Sequence, residues 1–267
     1  MEISPKGKYY GSLNSELSLD GILSTKYDYN GDKTPWHYHE NPYFMFVLHG
    51  NMMDINKKTQ TLLPPGSLMF TNWQEVHYGS KHSNSASGFH LELERSWFDK
   101  YDLSPMDLEG SLHIENQLIK GLMNKVYLET KINDQHSESS IELLIIDIFN
   151  KMKKTQINTD NKQPAWVNKL YELLLDTESD FSLSSLSQEL SIHPVHLSRE
   201  FHKYFGSTLG QYIRQVKLNK AITLISSKQY TMTEVGHQCG FYDQSHFISN
   251  FKSIYKMTPT QFLRLIS

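Results

Sequence analysis

Gly240-Phe241-Tyr242-Asp243-Gln244-Ser245-His246-Phe247, continued by Phe251, Ile254 and Tyr255, decides how the C-terminal part of this chain folds. Glycine suits a left-handed turn residue, and Asp243 suits the N-cap of a helix. Phe247, Phe251 and Tyr255 recur every four residues, the spacing of a buried helical stripe. Gln244, Ser245, His246, Ser249, Asn250 and Lys252 fall on the opposite side. Upstream, Thr231 and Glu234 make a capping box, and Met232, Val235 and Cys239 line the inner face of a short helix. A short helix, a tight turn and a second helix with one apolar and one polar face form a helix-turn-helix. The apolar face fixes the angle and the polar face enters a major groove.

The same plan occurs about 49 residues earlier. Leu183, Leu186 and Leu190 form the inner stripe of a first helix, Ile192 sits in the turn, and Pro194 opens the second helix. Leu197, Phe201 and Phe205 make the buried stripe, and His196, Ser198, Arg199, His202 and Lys203 face out. Thr208 and Gln211 cap a helix over Leu209–Ser226, about 27 Å long at 1.5 Å per residue. Such a rod can hold two readers near the ~34 Å repeat of successive major grooves. Thr258-Pro259-Thr260-Gln261 opens a last helix.

Charge agrees with this division. From Phe181 onward there are nine basic and four acidic residues, whereas the preceding 180 residues hold seventeen and twenty-five. A basic end on an acidic body is the footprint of a phosphate-binding domain on a soluble carrier. The single cysteine, Cys239, excludes an internal disulfide framework and a cysteine-cluster metal site. The apolar run Ile141–Phe149 contains Glu142 and Asp147 and falls far short of the roughly 20 residues of a membrane span. Met1–Ser12 lacks an apolar export signal. The expectation is a cytoplasmic protein without a membrane partner.

Residues 9–95 read as β-structure. Tyr43–Leu48, Met52–Ile55, Ser67–Phe70 and Phe89–Glu94 are short strand-like runs, separated by turn signals such as Asn30-Gly31 and Pro65-Gly66. The alternation in the last run puts Phe89, Leu91 and Leu93 on one face and His90, Glu92 and Glu94 on the other. Two amphipathic helices follow. One carries Ile114, Leu118, Leu122 and Val126, and the other Ile141, Leu144, Ile145, Ile148 and Met152. Lys151–Gln163 is nearly devoid of apolar residues and reads as a linker, bounded as 156–163 between the helical segment and the next domain.

Ser182–Leu265 resembles the AraC/XylS family of bacterial transcription regulators. The resemblance rests on His196 to Gly206, on Lys217-Leu218-Asn219-Lys220-Ala221, on Gly240 to Phe247, on Phe251-Lys252 and on Thr258-Pro259. It implies two units in adjacent major grooves on one face of the DNA. Base reading then falls on Val195, Ser198 and Arg199, and on Gln244, Ser245, His246 and Ser249. Three positions depart from the family pattern: Ser249 replaces a usual arginine, Gly236 a usual alanine and Lys256 a usual glycine. The spacing Gly31, His37-Tyr38-His39, Tyr43, Gly50, then Pro65-Gly66 and His77, resembles the two motifs of cupin barrels, with Tyr43 where a glutamate would stand. His37, His39 and His77 can supply three nitrogens to a divalent metal, with Glu75 or Glu40 as a substitute carboxylate. The bland alternative is a pocket for a small effector, or plain packing.

The expected molecule is α+β and multidomain. A cupin-like sensory barrel spans 1–100, a helical dimerisation segment 101–155, a linker 156–163, and a double helix-turn-helix domain 164–267. The DNA-binding set is Val195, His196, Ser198, Arg199, His202, Lys203, Gln244, Ser245, His246, Ser249 and Lys252. The effector-binding set is His37, His39, Tyr43 and His77. No catalytic residue, cofactor or bound metal is assigned. The partners expected are double-stranded promoter or operator DNA, a small effector such as a sugar, a second copy of the chain, and RNA polymerase. The competing reading is a metal-dependent cupin enzyme with a helical appendage.

Overall fold

The computed structural model describes residues 2–104, 108, 110–160, 164–175 and 182–266. They form two compact units, one of residues 1–115 and 129–138, the other of residues 116–128 and 139–267.

The first unit is a two-sheet barrel. One sheet has five strands: β1 (Glu2–Ser4), β4 (His37–His39), β9 (His77–Lys81), β6 (Met52–Asn56) and β7 (Gln60–Leu63), in that spatial order. The other has six: β11 (Ser111–Ile114), β8 (Leu68–Thr71), β5 (Tyr43–His49), β10 (Ser87–Leu93), β3 (Ile22–Asp28) and β2 (Ser12–Leu19). All pairings are antiparallel except β1 with β4. Helix α1 (Arg95–Lys100) buries Trp97 and Phe98.

The alternation in β10 does not produce a wet face, because all seven of its residues are buried. The strand lies between β5 and β3. Its Phe89 and Leu91 stand beside Phe46 and Phe44, while His90 and Glu92 stand beside Met45 and Tyr43 on the barrel interior. The polar side of this strand therefore looks into the molecule.

Helix α2 (Gln117–Ile132) starts three residues later than Ile114, which belongs to β11. The Asn116 side-chain oxygen accepts from the backbone N–H groups of Leu118 and Ile119 and sets the start. The buried stripe is consequently Ile119, Met123, Val126 and Tyr127; Leu118 and Leu122 are only half-buried. Helix α3 (Ser137–Asp160) buries Ile141, Ile145, Ile148, Phe149 and Met152. It runs through the first part of the stretch expected to be linker, with a Lys151–Asp147 pair at 3.2 Å on its surface. A polar composition does not remove helix propensity, and the helix continues to Asp160. Residues 161–163 lie outside the described residues.

In the second unit, α4 (Ala165–Leu175), α5 (Leu183–Leu190), α6 (Pro194–Phe205) and α7 (Leu209–Ser227) share one core. Val167, Leu170, Leu186, Leu197, Phe201, Phe205, Tyr212 and Val216 fill it, and Leu118 of α2 packs against it. Then come α8 (Met232–Gln238), α9 (Gln244–Tyr255) and α10 (Pro259–Ile266) around Phe247, Phe251, Tyr255 and Phe262. The capping boxes at Thr208/Gln211 and Thr231/Glu234 form as expected, and Gln261 hydrogen-bonds back to Thr258. Gly240 adopts φ 69° in the turn of the second unit.

A polar knot joins α2, α7 and α9. The Asn219 amide donates to both the backbone and side-chain oxygens of Gln117, each at 2.9 Å. Its oxygen accepts from Asn124 at 3.1 Å and Gln215 at 2.8 Å. Gln215 also donates to the Tyr255 hydroxyl at 3.3 Å. The helices approach so closely that a Cβ on Gly121 would lie 2.4 Å from Gln215. Among the described residues, no helix is long and apolar enough to cross a membrane.

Candidate DNA-reading surface and barrel centre

The two second helices present what their sequence pattern calls for. In α6, Leu197, Phe201 and Phe205 are 0%, 0% and 3% exposed. Val195, His196, Ser198, Arg199, His202 and Lys203 are all exposed. In α9, Phe247, Phe251 and Tyr255 are buried and Gln244, Ser245, His246, Ser249 and Lys252 are exposed. Each helix therefore offers a polar face of side chains that can donate to phosphates and base edges.

Local contacts order this face. The His193 side chain accepts from the Val195 N–H at the start of α6, and Asp243 accepts from the His246 N–H at the start of α9. Thr233 donates to the Gln244 side chain at 3.1 Å, which holds that amide in place. His246 lies edge-on to Phe241. Lys203 pairs with Glu200 at 3.8 Å and lies over the Tyr204 ring, so it is the more restrained of the two lysines on this face. Asn250, read as outward, is half-buried and donates to the His246 carbonyl. Tyr242 was not in the expected set, yet it is 87% exposed beside the α9 N-cap. An aromatic residue just before the N-cap of an amphipathic helix was the available signal.

The barrel centre brings together all four residues of the expected effector set. His37 on β4 is in register with His77 on β9. One nitrogen from each of His37, His39 and His77 lies within 4.8 Å of the others. The Tyr43 hydroxyl is 3.1 Å from His77 Nε2. These residues line a cavity of about 50 Å³ together with Tyr9, Tyr29, Asp54, Gly79 and His90. His90, Asp54 and Tyr9 had not been assigned to it. The period-2 pattern of β10 carried the signal for His90. A lone acid between Met53 and Ile55 carried it for Asp54. The carboxylate that lines the cavity is Asp54, not Glu75 or Glu40. Trp36 is 42% exposed and packs on Tyr78, and neither it nor Tyr38 lines the cavity.

An N-terminal strap closes the centre. The Tyr9 ring stacks on His90 at 3.6 Å and on His39 at 4.9 Å. The buried Glu92 carboxylate anchors the strap by accepting from the Gly7 N–H at 2.8 Å and the Tyr9 hydroxyl at 3.3 Å, while Asn41 donates to it at 2.9 Å. Tyr29 reaches His90 Nε2 at 2.9 Å over Gly88, where a Cβ would stand 2.3 Å from the Tyr29 hydroxyl.

Burial sets the charge states. It pushes His37 down to about 4, with the neighbouring His77 adding to the effect. His39 goes down to about 2 by burial and then by His77, His37 and His90. Burial also lowers His77 and takes His90 down to about 3. All four imidazoles are neutral near pH 7. Asp54 is pushed up to about 7 by burial and then by Glu75.

The residues present fit a divalent metal, the group that cupin barrels imply. His37 Nδ1–H donates to the Pro35 carbonyl and His77 Nδ1–H to the Glu75 carbonyl, each at 2.9 Å. Each ring thus turns its Nε2 lone pair away from the backbone, the outer-shell arrangement found around metal-bound histidines, although His77 Nε2 accepts from the Tyr43 hydroxyl in this structure. His39 is 2% exposed and neither of its ring nitrogens has a hydrogen-bond partner.

Residues 186–265 match the protein family described as a helix-turn-helix domain. The chain is 25% identical over 246 residues to the transcriptional activator RhaR of Salmonella dublin, covering 86% of each protein. It is 21% identical over 275 residues to the transcriptional activator RhaS of Shigella dysenteriae serotype 1, covering 97% of this chain and 96% of that protein. Among solved structures, the C-terminal domain of the response regulator yesN of Fusobacterium nucleatum is 34% identical. It aligns with 36% of this chain and 98% of that domain, with a TM-score of 0.33. Residues 186–265 thus form a helix-turn-helix domain, and over most of its length the chain is similar to DNA-binding transcription activators, as expected of a DNA-binding regulator with a barrel ahead of its paired helix-turn-helix units.

Proposed function

We propose that this regulator reads promoter or operator DNA with α6 and α9, and that a small effector in the barrel sets how the two helices are presented. The reading residues are Val195, His196, Ser198, Arg199, His202 and Lys203 in the first unit. In the second they are Gln244, Ser245, His246, Ser249 and Lys252. The observation that carries this is the repeated pattern of a buried aromatic stripe beneath an exposed polar face, twice in one compact unit. The basic excess of the same region supplies phosphate affinity.

Effector binding is assigned to His37, His39, Tyr43 and His77. Control requires that the effector bind one arrangement of the protein more tightly than another. A sugar does not suit the cavity as it stands. A cavity of ~150 Å³ is what benzene occupies, and about 50 Å³ is available here. The chain acts in the cytoplasm as a homodimer paired through the helices of 101–155, where Leu143 on α3 is 69% exposed. Residues 105–107 and 109 of that segment lie outside the described residues. Like RhaR and RhaS, which are named activators, it activates transcription through RNA polymerase.

The test is selection of preferred duplexes from a random pool by the full chain, followed by affinity measurement across a salt series. Specific binding with a falling log–log salt slope is the expected result. Sequence-blind, salt-insensitive binding overturns the proposal.

A further inference from the structure

The cavity in the barrel has room for an ion and its water, not for a ring-sized molecule. It is walled by three imidazoles, one nitrogen from each lying within 4.8 Å of the others. Backbone carbonyls fix the tautomers of His37 and His77. Three residues that line the cavity have buried polar atoms without partners: both nitrogens of His39, the Nδ1 of His90, and the Oδ2 of Asp54, which is 4% exposed. A buried polar atom without a partner costs free energy comparable to a lost hydrogen bond. Here such atoms line one small cavity, the arrangement expected where the missing partner is a bound ion.

Register explains how the carboxylate reaches the same space. His77 and Gly79 are two apart on β9 and share a face; His37 stands opposite His77, and Asp54 opposite Gly79. Gly79 has no side chain, and a Cβ there would meet nothing closer than 3.9 Å. The floor between Asp54 and the histidines is therefore open. The one hydrogen bond that competes for a ligand lone pair is the Tyr43 hydroxyl on His77 Nε2.

We infer that the barrel centre is a site for one divalent first-row transition-metal ion, held by His37, His39 and His77 with the Asp54 carboxylate in the same cavity, and that this ion is the effector. The donor set supports the class. Imidazole suits zinc, iron, nickel and copper, whereas calcium and magnesium take all-oxygen sites. Three nitrogens leave an open position for water or Asp54. The effector role rests on the regulator reading above; the metal site does not.

The experiment uses the full chain, purified without a histidine tag, stripped with chelator and dialysed. Zn²⁺, Ni²⁺ and Co²⁺ salts are titrated by calorimetry, and Co²⁺ also by its visible absorption. One equivalent per chain is expected, with Co²⁺ bands of a low-coordinate nitrogen site. His39→Ala should weaken binding by at least ~100-fold, and Asp54→Asn by ~10-fold, the size of effect seen for groups supporting a metal site. His39→Gln, which keeps the volume, stands in if the alanine variant unfolds. Affinity for the selected duplex, measured with and without metal, should change in the wild type and not in the His39 variant. No stoichiometric binding by a wild type that still recognises DNA overturns the site, as does binding that survives both His39 variants. One equivalent bound without change in duplex affinity overturns the effector role. A chain that takes up one equivalent but recognises no duplex overturns the regulator reading and leaves the metal site standing.

Discussion

Arg199 is exposed on the outer face of α6, one turn from the buried Leu197–Phe201 stripe. Its planar fork suits guanine, and Arg199→Ala should lose ~1–3 kcal/mol of specific binding and relax preference at one end of the site. Unchanged affinity on every duplex would remove Arg199 from the reading face. Lys256 ends α9 at φ 59°, a left-handed conformation that favours glycine. Lys256→Gly should therefore raise stability by up to ~1 kcal/mol, read as a higher urea midpoint at unchanged slope. Arg199 was legible because helical spacing says which side chains are left outside, and Lys256 only because the resemblance expects a glycine there. The barrel residues were legible only in part. His37, His39, Tyr43 and His77 sit in a recognisable spacing. Asp54 and His90 come from strands distant in sequence and Tyr9 from the strap between β1 and β2, and only the folded barrel reveals that they meet.

Helix identity came through where packing is periodic and failed where it is not. Both recognition helices, the connector α7 and the capping boxes read directly from spacing. The start of α2 did not, because Ile114 continues the four-residue rhythm while belonging to a strand. The end of α3 did not either, because a polar stretch without an apolar rhythm still keeps the propensity to be helical. Phe201 and Phe251 are each fully buried in their helices. Truncating either to alanine should cost ~3–5 kcal/mol, seen in thermal or urea unfolding of the full chain. A melting curve indifferent to both changes would contradict the stripe. Gly236 offers the opposite case. A Cβ there would meet Phe247 at 3.4 Å, ordinary contact. Gly236→Ala should stabilise α8 by up to ~1 kcal/mol through helix propensity.

For the molecule as a whole, the barrel interior sets a pH response. An unfolded histidine titrates near ~6.5, whereas in the fold His37 titrates at about 4, His90 at about 3 and His39 at about 2. As pH falls below ~6.5 the unfolded chain binds protons that the native barrel refuses, and stability drops. Asp54, raised to about 7, works in the other direction, since the native state keeps a proton that the unfolded chain releases; Glu92, raised by burial, adds to it. Four imidazoles outnumber two carboxyls, so the urea midpoint of the barrel at pH 5 should lie below that at pH 7.5. A midpoint that climbs towards acid would mean that the interior histidines are already charged. The Asn219 knot has a practical corollary for anyone dissecting this protein. Cutting the chain at Pro164, where composition suggests a seam, would amputate Gln117 and Asn124 and strand the amides of α7 beside the foot of the second reading helix. An excised fragment of that kind would carry a raw flank that the intact polypeptide never exposes, and its behaviour would report on the wound as much as on the reader.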